Sequence, residues 1–190
     1  MDDNGRYIPV VDRFAYAEHG TGLKPLADYI HSLGPNFGIH IRRGIQRETA
    51  AKNLPIAGSL YRAAEATDNA DAGPWSAYNC GAKKSPAGQA CYDSIASLYA
   101  SSGVDFVKAD CISGHPYKPN EIRMLSVALK KSRRSFALSL FRGPTSLQKD
   151  KEAPKYAEMW RITKPGSIWP SQLVGCTIPG TRRTRELPAK

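Results

Sequence analysis

The heptapeptide "DFVKADC", residues 105–111, sets a lysine and an aspartate two positions apart at the end of a short apolar run. Side chains alternate between the two faces of an extended strand. Val104, Phe106, Lys108 and Asp110 therefore share one side, and Asp105, Val107 and Ala109 share the other. An ammonium and a carboxylate on one face are costly to bury unless they pair or bind something polar. A carboxylate kept ionised by a neighbouring cation can also act as a nucleophile. Two readings stand for this pair: a structural ion pair, or a site in which Asp110 attacks while Lys108 binds. The segment "MWRIT" repeats the spacing with Met159, Arg161 and Thr163. Arg161 either grips a hydroxyl or carboxylate at the same place or snorkels to solvent from a strand end. Ser139 in "FALSLFRGP" is a weaker candidate.

Such side chains need strands to aim them and helices to hold the strands. "GLKPLADYIHSLG" places Leu23, Leu26, Ala27, Ile30 and Leu33 on one helical stripe. Pro25 suits the first turn and Gly34 the C-terminal cap. "NFGIHI" follows as a strand over 37–41. Residues 42–86 lack sustained periodicity and read as a long excursion holding a short helix or a functional loop. A helix over 88–101, with Cys91, Ile95, Leu98 and Tyr99 as its apolar stripe, stops at Gly103 and leads into the strand 104–110. "PNEIRMLSVALKKS" is helical through Ile122, Leu125, Ala128 and Leu129, with Lys130 and Lys131 in the dipole-favoured last turn. It leads to a strand over 136–140; a weaker helix over 147–158 leads to one over 159–163.

Helix followed by strand, repeated along the chain, is the signature of parallel βα units. No G-x-G-x-x-G follows a strand, which weighs against a dinucleotide-binding sheet. The strands end in polar or charged residues, where a (βα)8 barrel keeps its chemistry. The Asp105 face should then meet a covering helix, and Lys108 and Asp110 should face the barrel interior at its C-terminal mouth.

Composition narrows the function classes. The net charge of +10 would attract a polyanion. Yet the charge is spread over 40–52, 118–134 and 171–190, with no aromatics interleaved and no nucleic-acid module around it, so nucleic acid is not the expected partner. No apolar run reaches the about 18 residues of a membrane helix. The N-terminal "MDDNGRYIPVV" has neither the basic nor the apolar region of a signal peptide. The four histidines form no zinc motif, and Cys80, Cys91, Cys111 and Cys176 follow no metal spacing. The cysteines are compatible with one bridge or with buried thiols.

The stretches "GLKPLADYIHSLGPNFGIHI", "GVDFVKADC", "NEIRMLSVALKKS", "LSL" and "MWRI" resemble the α-galactosidase (melibiase) family of glycoside hydrolases, in order from about residue 5 to residue 170. The resemblance implies a retaining, cofactor-free enzyme on a (βα)8 barrel, with an antiparallel β domain after it. Family members remove terminal α-linked galactose or, in some cases, N-acetylgalactosamine, and mostly work outside the cytosol. The strands at 37–41, 104–110, 136–140 and 159–163 resemble barrel strands three to six. By the same resemblance Asp110 is the nucleophile, Lys108 and Arg161 bind sugar, and Cys111 bonds to a cysteine in the preceding loop, for which Cys80 is the candidate.

Two departures qualify this. Where the family has its acid/base aspartate, four residues beyond Arg161, this chain has Pro165, and "TKPGSIWPS" offers no carboxylate. Retaining hydrolysis uses two carboxyl groups about 5–5.5 Å apart, one attacking and one protonating the leaving oxygen. Losing that proton donor costs about 10²–10⁴-fold. Furthermore, nothing in 1–21 resembles the first two barrel strands and nothing after 170 supplies the last two. The expectation is an incomplete TIM barrel over 1–170 and a basic, unpatterned tail over 171–190. Its open sheet edges are prone to self-association. Three functions follow: an α-galactosidase-like segment with impaired hydrolysis, an inactive carbohydrate-binding remnant, or a basic polyanion-interacting protein.

Overall fold

Four of the strands form one parallel sheet in the order β1-β5-β6-β7, from Gly38–Arg42, Phe106–Asp110, Ala137–Leu140 and Met159–Trp160. The computed structural model describes residues 1–72, 78–114, 116–141 and 152–161. Helices α1 (Lys24–Ser32), α4 (Pro86–Ser101) and α5 (Pro119–Lys131) precede β1, β5 and β6 respectively. This is the expected parallel βα series, a partial (βα)8-like barrel. Thr163, Pro165, Cys176 and the tail 171–190 lie outside the described residues, as do 147–151 of the weaker helix. What is described of that helix is a 3-10 turn over Ala153–Lys155.

The sheet has a dry face and a wet one. Val107 and Ala109 of β5 and Leu138 and Leu140 of β6 are buried with Ile122, Leu125 and Leu129 of α5. Each large apolar side chain so buried contributes about 1.5–3 kcal/mol. On the other face Phe106, Lys108 and Asp110 are half-buried, and His40 and Arg42 of β1 are exposed. The period of two read from the sequence therefore holds along β5.

Helix faces follow the pattern less closely. In α5 every predicted apolar position is buried. In α4 the buried set is Ala87, Gly88, Tyr92, Ser94, Ala96 and Tyr99, while Cys91, Ile95 and Leu98 are only partly buried. The buried face is rotated from the predicted stripe, and at its start Gly88 packs against the chain leading into the helix: a Cβ there would meet the Lys83 carbonyl oxygen at 2.0 Å. Ser85 caps the helix, accepting a bond from Gly88 N at 3.1 Å. In α1 Leu33 is exposed rather than in the stripe, whereas Gly34 takes the expected left-handed φ of +98° just past the helix.

The excursion over 42–86 is more ordered than its sequence suggests. It holds α2 (Arg47–Ala51), α3 (Ala63–Ala66) and an antiparallel sheet in the order β2-β4-β3, from Ile45–Gln46, Asn79–Ala82 and Thr67–Ala72. Gly44 starts it at φ +82°, and a Cβ there would lie 1.9 Å from the Cys80 carbonyl oxygen. Only glycine fits that approach.

Candidate active site

Register decides which side chains meet. β1 pairs with β5 so that His40 opposes Lys108 and Arg42 opposes Asp110, and β6 pairs with β5 so that Ser139 opposes Lys108. Ser139 in turn opposes Met159. His40, Lys108, Ser139 and Asp110 thus stand on one face of the sheet, toward the C-terminal ends of parallel strands.

Asp110 closes β5. The next residue, Cys111, adopts a left-handed φ of +61°, which turns the chain and lets its own N–H donate to Asp110 Oδ1 at 2.8 Å. A non-glycine residue in this region carries local strain of about 1 kcal/mol or more. The other oxygen, Oδ2, lies 3.3 Å from His40 Nε2, and the Asp110 side chain is 13% exposed against 51% for His40. Arg43 N donates to the Asp110 carbonyl at 3.2 Å.

Lys108 does not pair with Asp110. Its Nζ lies 3.6 Å from the centroid of the Phe141 ring, and the guanidinium carbon of Arg161 lies 5.4 Å from the same centroid. The ring face attracts both cations. The structure therefore gathers Lys108 and Arg161 around Phe141; of the two readings of the Lys108–Asp110 pair it does not show the structural ion pair, and it places His40 against Asp110 instead.

The Cys80–Cys111 bond is a second correction. Cys80 is a buried thiol inside β4, fixed by its pairing with Ile45 and Ala72, and is not joined to Cys111. Among the described residues no group of three or more His, Cys, Asp or Glu side chains could hold a metal ion. No described helix is long and apolar enough to cross a membrane.

Directly behind this rim sits a polar network that sequence reasoning missed. The buried Arg43 guanidinium donates to Asp71 at 2.8 and 3.0 Å and to Glu121 at 2.5 Å. Lys118 Nζ donates to Asp71 at 2.8 Å, and Tyr92 OH donates to Glu121 at 2.6 Å while accepting from Gly44 N at 3.1 Å. Two cations balance two carboxylates. Burial raises the Glu121 carboxyl above its ordinary value despite the pull of Arg43 and Tyr92. Burial also raises Asp71, but Arg43 and Lys118 outweigh it and leave that carboxyl lowered. The network ties α5, α4 and the excursion to the strand ends. A polar "RR" after the strand "GIHI" was its one visible trace.

A cleft of about 650 Å³ runs along β1, the edge strand of the sheet among the described residues, lined by Tyr7, Phe14, Ile39, His40, Ile41 and Tyr99 among others. His40 belongs to both the cleft and the Asp110 cluster; Lys108, Asp110 and Arg161 are not in its lining.

No protein-family model and no curated protein matches the chain. Solved structures do. A GH27 β-L-arabinopyranosidase from Geobacillus stearothermophilus is 42% identical with a TM-score of 0.83, over 86% of this chain and 39% of that one. A protein of Bacillus halodurans assigned as an α-N-acetylgalactosaminidase is 40% identical with a TM-score of 0.73, over 77% of this chain and 35% of that one. An α-galactosidase from Saccharomyces cerevisiae, solved with raffinose, is 18% identical with a TM-score of 0.54 and shares the fold. The chain thus spans well under half the length of the structures it matches. By its parallel βα sheet and its match to two bacterial structures at 40% identity or more, the chain is a homologue of the GH27 (melibiase) glycoside hydrolases over a partial segment of their barrel.

Proposed function

We propose that this segment carries the nucleophile side of a retaining glycosidase site for galacto-configured pyranosides, with Asp110 attacking the anomeric carbon. Its main support is one convergence. Asp110, Lys108 and His40 share the face of the parallel sheet opposite the helix-covered Val107 and Ala109, at the strand ends. In a (βα)8 fold that end is where chemistry resides. The sugars named for the similar structures support the substrate class. β-L-Arabinopyranose, α-galactose and α-N-acetylgalactosamine share the arrangement of hydroxyls around C3 and C4 and differ at C2 or C5.

In this reading an Asp110 oxygen bonds to C1 as the bond from C1 to the leaving oxygen breaks, giving a glycosyl ester that water later cleaves. Lys108 and Arg161 leave the Phe141 ring to bind sugar hydroxyls; the ring then offers an apolar face to the pyranose. Pro165 at the place of the family's acid/base aspartate deprives the leaving oxygen of its proton donor. The chain should therefore favour leaving groups that depart without protonation, and hydrolysis of natural glycosides should be impaired.

The test compares 2,4-dinitrophenyl α-galactoside with an unactivated α-galactoside, using the chain and its Asp110→Ala variant. Release from the activated substrate alone, abolished in the variant, is the expected result. Release that survives Asp110→Ala would remove Asp110 from the chemistry.

A further inference from the structure

We infer that His40 is a positioning residue for Asp110: it directs its Nε2–H at Oδ2 and fixes the plane of the attacking carboxylate. The inference rests on the reading of Asp110 as nucleophile. A carboxylate held by one donor still swings about its Cβ–Cγ bond. Cys111 N–H holds Oδ1 at 2.8 Å, and this donor lies within the same turn of chain as Asp110. The second oxygen is met from a different strand, where His40 Nε2 stands 3.3 Å from Oδ2. With the imidazole turned so that its N–H meets Oδ2, two donors from two directions define a plane. Each oxygen has two lone pairs, so either one keeps a pair for attack.

The register brings the two side chains to one face of the sheet. Arg42 opposes Asp110 along the β1–β5 ladder, and His40, two residues earlier on the same face, leans toward the rim to reach the carboxylate. Among the described residues His40 has no other charged contact, and its side chain is half exposed, so it does little for the core. Lys108, which shares that face with Arg42, is committed to Phe141. Donor contacts in an unliganded site are commonly long and tighten when substrate binds. Because His40 also lines the cleft along β1, it is placed to couple occupancy there to the setting of Asp110.

The experiment uses 5-fluoro-α-D-galactosyl fluoride. The bond from C1 to fluorine breaks, fluoride leaves with the electron pair, and an ester bond forms between C1 and an Asp110 oxygen; no proton donor is required. Intact-mass and peptide analysis follow the ester in the parent chain, His40→Phe and His40→Gln. Loss of the donor should slow labelling at saturating reagent about 10–100-fold in His40→Phe, as small misplacements of reacting groups do. The half-saturating concentration and the melting temperature should stay near the parent's. His40→Gln, which keeps an N–H of similar reach, should recover most of the loss. A labelled parent with His40→Phe reacting at the parent rate overturns the inference and leaves the nucleophile standing. Equal slowing in His40→Phe and His40→Gln overturns it too, since the donor would then be irrelevant. An unlabelled parent overturns both the inference and the reading beneath it.

Discussion

Two aspartates bracket β5, and they are held in opposite ways. Asp105, at the start, is saturated: Oδ2 accepts from Phe37 N at 2.9 Å and lies 2.6 Å from His31 Nε2, and Oδ1 accepts from Arg134 at 2.6 Å. These partners come from α1, the start of β1 and the chain after α5, so Asp105 stitches the lower rim together. Asp110, at the finish, has one backbone donor, one half-exposed imidazole, and two nearby cations turned to an aromatic ring. The lesson is that charge alone does not mark a site. A carboxylate whose acceptor capacity is spent on the scaffold is structure; one left with capacity at the C-terminal mouth is available for chemistry.

The network behind the rim is the extreme case of the saturated kind, and its disruption should give the largest effect. Arg43→Met leaves Glu121 charged and almost fully enclosed, which should cost about 3–5 kcal/mol at neutral pH in urea unfolding. Replacing Arg43 and Glu121 together by apolar residues should recover much of that loss. The pH dependence has a definite sign. Removing Arg43 takes away a group that lowers Glu121, so its already raised carboxyl rises further. The folded variant then holds a proton that the unfolded chain releases near 4.5, the ordinary value. Parent and variant share the unfolded state, so the penalty should be smallest below the parent's own raised Glu121 value and grow as pH rises through it toward the variant's still higher one. A loss under about 1 kcal/mol, flat with pH, would mean that the network is ornamental.

Asp105→Asn should come second, at about 2 kcal/mol, typical for hydrogen bonds to a charged group. Burial raises this carboxyl, but the Phe37 N–H, His31 and Arg134 outweigh it and hold it below the ordinary 3.8. Its stabilisation is therefore complete above that value and is lost as pH falls through the lower folded one. Parent and variant should converge in acid. Parallel curves down to the acid limit would show that the carboxylate charge is not what stitches the rim.

The sequence made one strand of this comparison plain and left the other partner hidden. Parity along 104–110 separates Lys108 and Asp110 from Val107 and Ala109 because that rule is local to one strand. It cannot say that His40 reaches Asp110, since β1 and β5 pair residues 68 apart in chain order and their register is fixed by the helices and loops between them. The ordered excursion was illegible for a related reason. Apart from Thr67, "TDNADA" and "NCGA" lack the branched and aromatic side chains that announce strands, and their ladder forms by tertiary pairing. In α4 the 3–4 spacing of Cys91, Ile95 and Leu98 outlined an apolar stripe, but the buried face is the one carrying Tyr92, Ala96 and Tyr99. The Arg43–Glu121 pair joins residues that no spacing rule connects.

Asp110→Asn should have the smallest effect on stability and the largest consequence for chemistry, and this separation is the sharpest test of the contrast. Asparagine keeps an oxygen for the Cys111 N–H, so the turn at the end of β5 persists. It gives up a charge whose side-chain partner, His40, is half exposed. The change in unfolding free energy should be about 0.5 kcal/mol or less in either direction. Sites kept for reactivity are commonly poor contributors to stability, so a slight gain is as consistent as a slight loss. Covalent labelling by the galactosyl fluoride should meanwhile vanish, because an amide oxygen is a poor nucleophile. Should Asp110→Asn instead destabilise the fold as much as Asp105→Asn does, the two ends of β5 would be doing the same job. Asp110 would then be a second stitch in the scaffold, held by partners that leave nothing over for a sugar.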